Sequence, residues 1–100
     1  MIRTNSYYRK LIKRGEREMK HSEVWDVIEV FAKAKGRTVS GLAKISGLDA
    51  TTFNRSKRFT KIGQERWPST NSISKILAAT DSDIVDMVKI YIKHLRTYKS

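Results

Sequence analysis

The sequence predicts an all-α domain of five short helices. Three observations carry this: apolar residues recur at helical spacing in successive segments, Ser, Thr and Asp stand where helices would begin, and strand-like alternation is confined to residues 59–67. One hundred residues suffice for one modest core, and are too few for two domains or a large enzyme cleft.

The first helix is expected from an N-cap at Ser22, with Glu23 and Asp26 in its opening turn and Val24, Trp25, Val27, Ile28 and Phe31 on its apolar face. It should stop before Gly36. Thr38 caps a short second helix that turns Leu42, Ala43 and, by spacing, Val39 inward, and Gly47 ends it through the left-handed backbone region. Asp49 is the expected cap of a third helix, in which Phe53 is the one large apolar residue among polar and basic side chains. Ser69 opens a fourth helix with Ile73, Ile76 and Leu77 at core spacing, and Ser82 opens a fifth that runs through Ile84, Met87, Val88, Tyr91 and Leu95. Ahead of these lies a basic arm, residues 1–21, with the domain proper at 22–100. In the arm Tyr8, Ile12, Gly15 and Met19 recur at helical spacing, but the stripe is thin and interrupted by glycine.

The formal net charge is +11, from 21 Lys and Arg against 10 Asp and Glu, which makes a polyanion the leading partner. Without cysteine there is neither a disulfide framework nor a zinc–thiolate site. His21 and His94 have no neighbouring ligand spacing, and no cofactor motif is present, so no metal and no cofactor are expected. There is no glycine-rich phosphate loop and no cysteine nucleophile, and the acidic residues are scattered, which argues against an enzyme. No apolar run is long enough for a bilayer and no secretion signal opens the chain, so no membrane partner and a cytoplasmic location are expected.

The informative stretch is TVSGLAKISGLDATTFNRSKR, residues 38–58. Two helices meeting steeply through a short turn need a small residue where they approach, a glycine in the turn and an apolar plug behind it; Ala43, Gly47 and Leu48 meet these needs. With RWPSTNSISKILAAT following, the chain resembles the lambda-repressor-like (Xre/Cro-type) helix-turn-helix family, and within it the N-terminal DNA-binding domains of LexA-type bacterial and phage repressors. The resemblance covers roughly residues 22–90. Members of that group often carry a self-cleaving peptidase domain; this chain ends at Ser100, so self-cleavage is not carried over.

The resemblance implies a sequence-specific regulator of transcription, a repressor that binds double-stranded DNA as a homodimer. A helix in the major groove presents its first turn and one face to base edges, and with Asp49 as cap those positions are Ala50, Thr51, Asn54 and Arg55. Arg55 can donate two hydrogen bonds to guanine and leads this set. Thr38 and Thr52 suit phosphates, with Lys44, Lys57 and Arg58 as point charges. The loop 59–67 reads either as a solvated connector or as a short hairpin whose Lys61, Gln64 and Arg66 form a wing on the DNA backbone, with Phe59 and Trp67 holding it to the core. Val85, Val88, Ile92 and Leu95 are the dimer candidates, against the alternative that the last helix packs within a monomer. Rival functions are a protein-interaction module such as an antitoxin or anti-repressor, a non-specific nucleic-acid binder, and an RNA binder.

Overall fold

The computed structural model describes residues 19–99, with side chains to Thr97. The expected stripe at Tyr8, Ile12 and Gly15, and most of the basic arm, lie outside the described residues. Among the described residues the fold is all-α, with four α-helices where five are expected: α1 (His21–Ala34), α2 (Val39–Ile45), α3 (Thr70–Ala79) and α4 (Ile84–Lys99), plus a single 3-10 turn at Arg55–Lys57.

Helix α1 begins two residues earlier than the sequence suggests. Its cap is Lys20, whose amide donates to the Glu23 carboxylate at 2.9 Å, so Ser22 falls inside the first turn and His21 belongs to the domain rather than to the arm. The helix turns Trp25, Ile28, Phe31 and Ala32 into the core and closes through Gly36, which takes a φ of +71°. Thr38 caps α2 as expected, its hydroxyl oxygen accepting from the Gly41 amide at 3.0 Å. Leu42 and Ala43 are fully buried, and Gly47, at φ +73°, lets the Leu48 amide return to the Ala43 carbonyl at 2.9 Å.

Ser69 caps α3 through the Ser72 amide at 3.0 Å. For α4 the cap is Asp83 and not Ser82: Asp83 and Asp86 exchange reciprocal amide–carboxylate bonds at 2.9 and 2.8 Å, while the Ser82 hydroxyl is engaged with Thr80. Helix α1 is the hub, packing on α4 and α2, and α2 packs on α3. Nine buried residues form one core: Trp25, Ile28, Phe31, Ala32, Leu42, Ala43, Phe53, Ile76 and Met87. Each α-helix therefore contributes at least one buried side chain, and the segment between α2 and α3 contributes Phe53.

Candidate nucleic-acid interface

The segment expected to be the third helix is built from turns. Its backbone bonds close three residues back, from Thr52 to Asp49, Asn54 to Thr51, Lys57 to Asn54 and Arg58 to Arg55, and Asn54 stands in extended conformation at φ −67°, ψ 154°. The cause is local competition. Asp49 accepts from both the amide and the hydroxyl of Thr51, and the Thr52 hydroxyl donates to the Asp49 carbonyl at 2.6 Å, so side chains take the partners a regular helix would use. The same Thr51 hydroxyl, and then its amide, hold the Asp49 carboxyl below its ordinary pKa. This turn is pinned by Phe53, which is 1% exposed.

The four expected base readers stay on this pinned turn: Thr51 and Arg55 are exposed, Ala50 and Asn54 partly so. Among the expected phosphate contacts Thr38, Lys44 and Lys57 are exposed, and the Thr38 hydroxyl, accepting from Gly41, still has its proton to donate. Two others are committed elsewhere. Thr52 spends its proton on the Asp49 carbonyl and has none left for a phosphate. Arg58 is paired with Glu29 at 2.7 Å, lies over the Trp25 ring at 5.3 Å and has a side chain only 14% exposed, so it is a packing element of the core's edge and not a free surface charge.

The loop after the turn is a hairpin in miniature. Phe59 and Glu65 form an isolated antiparallel bridge, the Thr60 amide donates to the Gln64 carbonyl at 2.8 Å, the Arg66 amide donates to the Arg58 carbonyl at 2.8 Å, and Gly63 reverses the chain at φ +82°. Lys61, Gln64 and Arg66 are all exposed. Phe59 and Trp67, expected to hold the loop to the core, are 49% and 51% exposed. Both rings pack on His21 of α1, with ring centroids 4.7 and 5.5 Å away.

His21 is the residue that sequence reasoning missed. Its Nε2 lies 2.9 Å from both the Arg58 and the Arg66 carbonyl oxygens, the two strands of the hairpin neck. Two carbonyl acceptors require the proton on Nε2, and the Trp25 indole N–H, 3.1 Å from the Arg66 carbonyl, then donates to that oxygen. Nδ1 faces the Glu65 carboxylate at 3.9 Å. One imidazole at the start of α1 thus clamps the hairpin to the body. Replacing it, His21→Ala, should lower unfolding free energy by about 1–3 kcal/mol through removal of the donor and the gap left between two aromatic rings. Urea unfolding measures this, and an unaltered midpoint would dismiss the clamp.

The turn and the hairpin neck adjoin: Asp49, Thr51, Thr52 and Lys57 share a cleft with Arg66 and Trp67. Between positions 44 and 66 stand six cations, Lys44, Arg55, Lys57, Arg58, Lys61 and Arg66, against two acids, Asp49 and Glu65. The dimer candidates Val85, Val88, Ile92 and Leu95 stand on α4 at intervals of three, four and three residues, which is one stripe of the helix. Val85 and Val88 are exposed, Ile92 and Leu95 are half-buried, and Lys89, Lys93 and Arg96 border Ile92. Among the described residues no cluster of His, Asp or Glu is arranged to hold a metal ion, and no helix is long and apolar enough to cross a membrane. The chain matches no protein-family description, no curated protein and no solved structure.

Proposed function

We propose that the chain is a lambda-repressor-like regulator of transcription that binds double-stranded DNA in a sequence-specific manner in the cytoplasm. The observation that most supports this is the side-by-side placement of the Asp49–Lys57 turn and the hairpin neck, whose Lys57 and Arg66 line one cleft. Phosphate contacts fix a protein's register on the duplex and base contacts specify sequence, so the division of labour follows from reach. Exposed Arg55, with Thr51, Ala50 and Asn54 beside it, reads base edges, while Thr38, Lys44, Lys57, Lys61 and Arg66 hold phosphates. Arg58 drops out of that second set because its guanidinium is paired with Glu29 and packed on Trp25, and Thr52 because its hydroxyl proton goes to the Asp49 carbonyl.

Two copies would occupy adjoining half-sites of an inverted repeat, brought together by the DNA. A preformed seam on α4 is disfavoured, since a two-fold partner at Ile92 would set Lys89, Lys93 and Arg96 against their own images. Selection of bound duplexes from a random pool tests the reading. Enrichment of an inverted repeat is the expected result; a pool without any enriched sequence would reduce the protein to a non-specific binder.

The wing has its own test. Neutralising Lys61 and Arg66 together should weaken binding alike for all duplexes and flatten the slope of log K against log salt by about 0.9 for each phosphate that is no longer neutralised. An unchanged slope would return the hairpin to the role of a connector.

A further inference from the structure

Among the described residues, an apolar groove of about 470 Å³ runs between α1, α3 and α4, with walls that include Met19, Val24 and Val27, Ile73 of α3, and Ile84 and Val88 of α4. Met19, Ile84 and Val88 are 58%, 53% and 47% exposed, so the groove stands open along one edge. Glu23 and Tyr91 also border it, and burial, followed by the charges of Asp26 and Glu23, raises the Tyr91 phenol above its ordinary pKa.

We propose that this groove is the docking site of the chain's own residues 1–18. The chain leads from that segment directly into Met19, which is itself part of the groove wall. In sequence the segment carries Tyr7, Tyr8, Leu11 and Ile12, two pairs each one helical turn apart, which supply the apolar surface the groove lacks. It also carries six cations, Arg3, Arg9, Lys10, Lys13, Arg14 and Arg17, against Glu16 and Glu18, and so complements Glu23 at the rim. Met19 lies seven positions after Ile12, a reach of roughly 10 Å as a helix and 23 Å extended.

A second copy of the chain fits less well. An isologous contact must be self-complementary, and a concave apolar groove placed on its own image leaves a void. A tethered segment, moreover, meets the groove at an effective concentration in the millimolar range, far above that of a second molecule at ordinary dilution.

Because the chain has no cysteine, engineered pairs report contacts cleanly. The full-length double variant Ile12→Cys, Val88→Cys should form an intramolecular disulfide on mild oxidation, at least about tenfold more than a control pair joining Ile12→Cys to Ile62→Cys on the hairpin tip. Disulfide-linked dimers from Val88→Cys alone would give the groove to a second copy and overturn the proposal, as would the absence of any intramolecular link. A second measurement does not depend on cysteine geometry. Leu11→Asp with Ile12→Asp should raise the fluorescence of an apolar dye several-fold at unchanged helix content by circular dichroism. Unchanged dye binding would show that the segment does not cover the groove.

Discussion

Phe53→Ala is expected to destabilise the protein by about 3–5 kcal/mol, the range for emptying a fully buried aromatic site. The residue is 1% exposed and is the sole contribution of the 49–58 segment to the core. For a domain of this size the change corresponds to a fall in melting temperature of about 12 °C or more, a large part of the total stability. The effect should be larger here than a hydrophobic area alone would give. No α-helical ladder supports the segment, whose backbone is held by turn bonds and by Asp49, so nothing close by can collapse into the cavity. Phe53→Leu, which keeps most of the volume, should cost less than about 1.5 kcal/mol. Ile62→Ala, at a position 80% exposed, should stay within about 0.5 kcal/mol of the unaltered protein. Calorimetric or urea unfolding of the three variants decides it; equal stability of Phe53→Ala and Ile62→Ala would mean that the turn is not anchored through this ring.

The core was legible because it depends on patterns a sequence displays. Trp25, Ile28 and Phe31 recur at the helical period on α1, Leu42 and Ala43 precede a glycine that ends their helix, and Thr38 and Ser69 stand where their side chains meet an orphan amide. The misread features share a different cause. Asp49 has the composition of a helix cap and does accept the Thr51 amide, but the hydroxyls of Thr51 and Thr52 both turn back onto Asp49 in competing local bonds, and the helix breaks into turns. Asp83 displaced Ser82 as a cap because only Asp86, three residues on, can return the bond.

Long-range partners left no local trace at all. Arg58 reads as a surface cation in a basic run, and its carboxylate lies 29 residues earlier at Glu29. His21 reads as the last residue of an arm, whereas its ring holds carbonyls 37 and 45 residues away. The one available signal was its position four residues before Trp25, on the same buried face of a helix, which brings the indole N–H within 3.1 Å of the imidazole. Both cases concern polar groups at the edge of the core, where hydrogen bonding rather than apolar spacing decides the arrangement.

Arg55→Ala should reduce affinity for the selected duplex by roughly 5- to 150-fold, equivalent to about 1–3 kcal/mol for a bidentate contact with guanine, and relax discrimination at the base pair it reads. The geometry of the turn narrows how this would work. Asn54 is extended and Arg55 opens a 3-10 turn, so the arginine leaves the body at a bend and not from the flank of a continuous helix. A side chain at such a bend is aimed by what fixes the bend, here Phe53 beneath it and the Asp49–Thr51 bonds before it. Thr51→Val, which removes the hydroxyl while keeping the shape, should therefore weaken specific binding indirectly, whereas Lys57→Ala should weaken all duplexes equally and lower the salt dependence. If Arg55→Ala instead behaves like Lys57→Ala, with uniform loss and a flatter salt slope, the arginine is a phosphate contact and base readout must come from Asn54 and Ala50. Titration of each variant against the selected duplex and a scrambled one, at two salt concentrations, separates these outcomes, because a base contact changes the ratio of the two affinities and a phosphate contact changes only their common scale.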